Sequence, residues 1–530
     1  STGNPEMLIN SGGLVRDNLG VEYGALVFAI AESPLEEGVI WAGTNDGQVQ
    51  LTRDGGGAWT NVTGNISGLP PHGTVSNIEP SRYDAGSAYI SVDLHQVNNR
   101  RPFIYKTTDY GQSWERITNG IPESVFSYVH VVREDPTREG LLYAGTENGL
   151  YVSFNDGQEW QPLQTNLPHA PVHWLVVQEH FNDLVVGTYG RGFWILDDIT
   201  PIQQLTQEIV DSDVHLFEPR SAYRFLMKAA PMEVHDDPSL GDNPPYGASI
   251  HYYLNSDPGG DVKITILDEQ GGVVETFEGT GSAGINRVWW DLRHQTSKQA
   301  RLRTPPLYAP WVEPGPEGWR PIVTWGVRGS GIRPLAAPGT YTVRMEVDGQ
   351  VLTQPLVVRK DPSSTGTVDD IRQQVDMSLE IRDNLNDVVE MINEVEWIRK
   401  QIYDLNDRLE GEEQHETILE AGKELDEKLI DFEQNLFQMR LTGGGQDVFR
   451  NPSKLYARLG FLYADVETSW GGVGSDWPPT SQAIEVHGLL KERLRTYQGQ
   501  FRALLSEDLT AFNGLLRENN LGGVVSGHLP

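Results

Sequence analysis

The sequence predicts a multidomain chain, mainly β and then α: part of an Asp-box-type β-propeller, an immunoglobulin- or fibronectin-like β-sandwich, and an antiparallel helical bundle. Three observations predict it. A short turn motif, Ser/Thr-x-Asp/Asn-x-Gly-x-x-Trp, occurs three times in the first 160 residues. Apolar and polar residues then alternate at period two between 249 and 358. After Lys360-Asp361-Pro362 the apolar residues step by three, four and seven, as a helical seam does.

The turn motif places Thr52, Asp54, Gly56 and Trp59 in the first copy, and Thr107, Asp109, Gly111 and Trp114 in the second. Ser153, Asn155, Gly157 and Trp160 form the third. Asp54, Asp109 and Asn155 are expected to tie down backbone N–H groups of a tight turn, with Gly supplying a left-handed conformation. Trp59, Trp114 and Trp160 are expected to anchor the following strand in the core. The Trp-to-Trp spacings of 55 and 46 residues are the length of a four-stranded blade. Each blade carries a Gly-Thr strand end, at Gly43-Thr44, Gly145-Thr146 and Gly187-Thr188, and Asp46-Gly47 and Asn148-Gly149 read as two-residue hairpin turns. Residues 1–200 thus supply three blades and a fourth ending near Phe193-Trp194-Ile195-Leu196.

Propellers close with about four to eight blades or more, and an open ring leaves bare sheet edges. The expected partners are therefore further N-terminal blades, from the same precursor or from a second chain.

Residues 201–246 read as a linker, Pro-, Asp- and Gly-rich from Ala230 to Tyr246. Short strands over 247–360 predict the sandwich, interrupted by a Pro- and Trp-rich insert at 295–335 expected to be a docking loop. Leu385, Val388, Ile392, Val395, Ile402, Leu405 and Leu409 form one helical seam. Ile418, Leu425, Leu429, Phe432 and Leu436 return along a second helix after a short polar turn. With two later helices separated by Gly-rich stretches at 443–445 and 471–474, residues 366–522 read as a bundle-like domain. The 21 acids against 7 bases over 369–433 predict a strongly solvated outer face.

The charge balance narrows the partners. The net charge is −33, and only 10 of the 41 basic residues are Lys. Such a surface suits high salt, or an ordinary acidic secreted protein, and disfavours nucleic acid and anionic membranes. No apolar run approaches the roughly 20 residues of a membrane span. With no cysteine, disulfides and thiolate chemistry are excluded.

With these elements placed, several segments carry a family resemblance. They are Arg16-Asp17-Asn18, Gly38-Val39-Ile40-Trp41-Ala42-Gly43, Tyr105-Lys106-Thr107-Thr108-Asp109-Tyr110-Gly111, Gly187 to Asp198, Asn286 to Arg293 and Pro338 to Val343. The chain resembles the C-terminal half of large bacterial exported proteins of the BNR-repeat (Asp-box) "glycosyl hydrolase" family, with a Vps10 or sortilin-like propeller. The resemblance implies a secreted, periplasmic or cell-surface protein with a glycan or protein ligand. The hydrolase label follows from the repeat rather than from a site.

A sialidase of this architecture would need three Arg, a Tyr–Glu pair and an Asp acid/base, and other glycosidases two carboxylates across a cleft. The most site-like stretch is Asp93, His95 and Arg101, which also reads as a long inter-strand loop. Tyr189 and Arg191 sit in a glycine-rich turn and are candidate ligand contacts. The thirteen His are scattered without metal-ligand spacing, so zinc is not expected and no cofactor is read. Asp211-Ser212-Asp213 and Asp236-Asp237 could take a structural calcium but lack the full ligand spacing. The expected function is a non-catalytic binding or scaffold component; the alternative is a sialidase-like glycoside hydrolase whose face is completed by missing blades.

Overall fold

A computed structural model of the chain describes residues 26–225, 241–324, 327–328, 331–440, 450–467 and 475–527. Arg16-Asp17-Asn18, Asp236-Asp237 and the Gly-rich stretches 443–445 and 471–474 lie outside the described residues. Two compact units divide at Asp213/Val214.

The first unit is a succession of small antiparallel meanders. They are β1 (Val27–Glu32), β2 (Ile40–Thr44), β3 (Val49–Thr52) and β4 (Thr60–Asn61); β5 (Thr74–Pro80), β6 (Ala88–Asp93), β7 (Ile104–Thr107) and β8 (Glu115–Arg116); then β9 (Val129–Glu134), β10 (Leu142–Thr146), β11 (Gly149–Ser153) and β12 (Gln161–Pro162). A three-stranded sheet follows, β13 (Val172–Gln178), β14 (Asp183–Thr188) and β15 (Phe193–Leu196). The first strands of neighbouring sheets pack side by side, β1 on β5, β5 on β9 and β9 on β13. Successive sheets sharing an inner edge are the blades of a partial propeller. Two short helices, α1 (Thr200–Gln204) and α2 (Gln207–Val210), close the unit. Arg138 Nη1 donates to the carbonyls of Ile202, Gln203 and Leu205, so the start of the expected linker is folded against the third blade.

The turn motifs have one repeated geometry. The Thr52, Thr107 or Ser153 hydroxyl donates to Oδ1 of Asp54, Asp109 or Asn155 at 2.8, 2.9 and 3.0 Å. The same oxygens accept the N–H of Ala58, Ser113 and Glu159, each at 2.9 Å. The Trp residues correct the expectation. Trp160 is buried and its indole donates to Ile117 O at 2.8 Å, and half-buried Trp114 packs edge-on against Trp41. Each therefore anchors to the preceding blade rather than to its own following strand. Trp59 is 45% exposed. The hairpins differ as well: Asp46-Gly47 belongs to a three-residue loop closed by Thr44 and Gln48, and the Asn148 hairpin turns on Glu147-Asn148, with Gly149 already in β11.

The second unit joins a β domain to helices. Its strands are β16 (Val214–Leu216), β17 (Ala222–Arg224), β18 (Ala248–Leu254), β19 (Val262–Leu267), β20 (Val273–Gly279), β21 (Gly284–Trp290), the short pair β22 (Val323–Thr324) and β23 (Val327–Arg328), β24 (Gly339–Val347) and β25 (Gln350–Lys360). The sheets β16-β18-β21 and β17-β25-β24-β19-β20 share one apolar core around Ile250, Tyr252, Ile264, Trp290, Val343 and Leu356. β16 and β17 precede residue 225, so this part of the expected linker belongs to the β domain.

The helices are α3 (Val368–Leu409), α4 (Glu416–Glu433), α5 (Leu455–Glu467), α6 (Ser481–Ala503) and α7 (Thr510–Glu518), with a π-helical turn at Leu504–Leu509. A capping box starts α3: Thr367 Oγ1 accepts from Asp370 N–H and Asp370 Oδ2 from Thr367 N–H.

The insert at 295–335 is not a free docking loop. Its backbone donates to side chains of α3, Lys298 N to Asn386, Arg301 N to Asn393, and Arg303 N and Thr304 N to Glu396. Ala300, Leu302, Ile322 and Ile332 are buried in the helical core. Backbone N–H groups of an irregular segment with few sheet partners find their acceptors on a helix face instead.

Candidate functional site

The residues that gather in the first unit come from two recurrent places in each blade. One is near the start of the inner strand, where every blade has a β-bulge: register shifts fall at Phe28, Ser76, His130 and His173. A bulge re-aims the side chain it carries. The other is the residue closing the second strand, Asn45, Asp93, Glu147 or Tyr189. Asn45, Glu147 and Tyr189 each donate a backbone N–H to the residue before the inner strand, Leu26, Tyr128 and Pro171. In the third and fourth blades these places hold imidazole, carboxyl and phenol groups.

The rings form a line. His95 stacks on Tyr128 with centroids 4.9 Å apart, and Tyr128 meets His130 edge-on at 5.2 Å. His130 stacks on His173 at 4.1 Å, and His173 on Tyr189 at 5.4 Å. Carboxylates flank the line. Asp93 accepts from His95 through both the backbone N–H and Nδ1, at 2.7–2.9 Å. Glu147 pairs with His130 Nε2 at 2.9 Å and sets its carboxylate near the Tyr128 phenol. Burial, then the carboxylates of Glu147 and Asp93, push the Tyr128 phenol up. Burial and the neighbouring His130 lower the proton affinity of His173. Its ring nitrogens have no hydrogen-bond partner among the described residues.

Of the residues singled out in sequence, Asp93 and His95 are brought together and Tyr189 ends the line, 73% exposed. Arg101 is not brought in: its guanidinium turns to Asn99 Oδ1. Arg191 donates to the adjacent Gly190 carbonyl in an exposed turn. Asp54, Asp109 and Asn155 hold turns away from the line. Asp211 pairs with Gln207. Sequence reading missed Tyr128, His130, Glu147 and His173. Glu147 and Tyr189 each follow a Gly-Thr strand end, so aligning blade on blade would have pointed to them. Residues scattered in sequence converge here: His130, Glu147 and His173 put ligand atoms within 4.8 Å of one another, the one such group among the described residues.

No protein-family model and no curated protein sequence match the chain. Similar solved structures include YCF48 bound to D1 peptide, at 13% identity over 62% of this chain and 82% of that one, TM-score 0.23. An ancestral GH74 enzyme matches at 11% identity over 63% and 57%, TM-score 0.24. An auxiliary nutrient binding protein from Bacteroides thetaiotaomicron matches at 18% over 51% and 63%, TM-score 0.27. The TM-scores are low, and fold and site stand on the chain's own geometry. No helix among the described residues is long and apolar enough to cross a membrane.

Proposed function

We propose that the first unit is the recognition module of an exported, non-catalytic binding or scaffold protein, and that it receives its ligand on the ring line that runs from its second to its fourth blade. The line from His95 to Tyr189 carries this reading, because its last ring is open to solvent. Flat π faces take sugar rings or peptide side chains by stacking, and Asp93 and Glu147 set acceptors beside them. The two-sheet domain serves as an immunoglobulin- or fibronectin-type spacer.

A further blade is the proposed partner. Trp114 and Trp160 rest on the blade before their own, whereas Trp59 is exposed. β1 turns Phe28 and Ile30 outward, and β15 turns Phe193 and Ile195 outward. A photo-cross-linker at position 59 is expected to capture blade-bearing chain. Native chain that sediments as a monomer and gives no cross-link sinks this.

A sialidase-like hydrolase is the second reading, favoured by the Tyr128 phenol lying near the Glu147 carboxylate with Asp93 nearby. Binding to a glycan array including sialosides, and to a peptide library, tests both readings. Tyr189→Ala is expected to weaken binding roughly 30-fold, as loss of an aromatic anchor worth about 2 kcal/mol does. No binding to either class overturns the binding reading. Turnover of a sialoside, abolished by Asp93→Ala, establishes the second.

A further inference from the structure

Three groups from three separate stretches of chain meet at the middle of the ring line. His130 and His173 are bulge residues of adjacent inner strands, and Glu147 sits in the hairpin after β10. We infer that His130, Glu147 and His173 form a three-ligand site for a borderline divalent transition ion such as Zn²⁺.

The plain structural alternative is a His130–Glu147 hydrogen bond with a ring stacked on it. That explains His130 and Glu147 but not His173, an exposed residue whose ring nitrogens have no hydrogen-bond partner among the described residues. Two imidazoles face to face at 4.1 Å repel if both are protonated, and gain if both are neutral donors to one cation. Tetrahedral zinc with bonds of about 2.0–2.1 Å sets its ligand atoms about 3.4 Å apart. His130 Nε2 and Glu147 Oε2 already stand at 2.9 Å, and every pair in the trio lies within 4.8 Å. A change of side-chain torsion at the exposed His173 closes the remainder.

The donor set selects the ion. Two imidazole nitrogens and one carboxylate oxygen suit zinc, cobalt, nickel or copper, whereas calcium and magnesium take mainly oxygen. Three protein ligands leave a fourth position for water or an anionic group of a ligand, beside Tyr189.

The inference deepens the reading of this line as an open site and rests on it, but it is measured with metal alone. Untagged full-length chain, stripped with a chelator, is titrated with ZnCl₂ by calorimetry and with CoCl₂ by visible ligand-field absorption. One equivalent is expected to bind. His173→Ala and the isosteric Glu147→Gln are each expected to lower zinc affinity by about 100-fold or more, beyond the 10–100-fold typical of outer contacts. His180→Ala leaves it unchanged, and far-ultraviolet circular dichroism confirms that each variant is folded. Absence of stoichiometric binding, or a His173→Ala variant that binds as the parent does, overturns the inference. Zinc uptake without glycan or peptide binding upholds it and sinks the preceding reading; glycan or peptide binding without zinc does the reverse.

Discussion

Two charged clusters in this chain use similar residues to opposite ends. In the helices, Arg399 is 1% exposed and held by Glu396, Asp426 and Glu433 at 3.2, 2.8 and 2.9 Å. Glu396 also accepts from Arg303 N–H, Thr304 N–H and the Thr304 hydroxyl. In the propeller unit, the His130–Glu147–His173 group ends at an exposed His173 whose ring nitrogens have no protein partner among the described residues. The difference separates structure from site better than charge count does. A cluster whose polar atoms answer one another inside the fold holds elements together. One that stops short, on a bulge, at a surface, has room for something else.

The comparison breaks first at Arg399. Arg399→Met would leave the buried Glu396 carboxylate without its cation and Glu433 without its donor, and is expected to cost about 3–5 kcal/mol. Urea unfolding followed by helical circular dichroism checks it; a loss below about 1 kcal/mol would show that the cluster is no clasp.

Metal gives the next largest effect, in the other unit. Zinc at about 100 times its dissociation constant is expected to stabilise the chain by about 2.7 kcal/mol. His173→Ala should abolish that gain in thermal unfolding.

Proton linkage is expected to be smaller and directional. Burial, then the nearby Glu396 carboxylate, hold Glu433 well above the usual carboxylate range. The folded chain therefore keeps a proton that the unfolded chain releases. Its stabilising share is complete below the unfolded value of about 4.3 and declines as pH rises towards the folded value. Glu433→Gln should gain on the parent as pH increases from 4 to 8, read from urea midpoints. A constant difference across that range would place the proton elsewhere.

The smallest effect sharpens the contrast. Without metal, His173→Ala should change stability by no more than about 0.5 kcal/mol, because an exposed side chain is removed. A larger loss would move His173 from site to scaffold.

What the sequence made legible was local. The turn staples are spelled by four residues in a row of eight, so their hydrogen bonds were readable from spacing. The role of the Trp was not, because Trp114 and Trp160 pack on residues of the blade before. The site escaped for the same reason: His130 and His173 lie 43 positions apart, and a bulge leaves no pattern in a single sequence. Glu396 and Glu433 were counted among solvated acids because apolar stepping marks one helix face and says nothing of polar residues beside it. Asn386, Asn393 and Glu396, at helical spacing, were the visible sign that α3 holds more than its apolar seam.

That backbone clasp bears on how the protein can be cut. A protein chemist reading domain order would place the scissors at Pro362, between the last strand and the first helix. Such a cut would strand residues 298–304 on the β side with their acceptors removed, and bare the apolar ribbon of α3 on the other. Strand and helix are successive along the polypeptide but interleaved in space. The compact units divide instead at Asp213/Val214, upstream of every strand of the β domain.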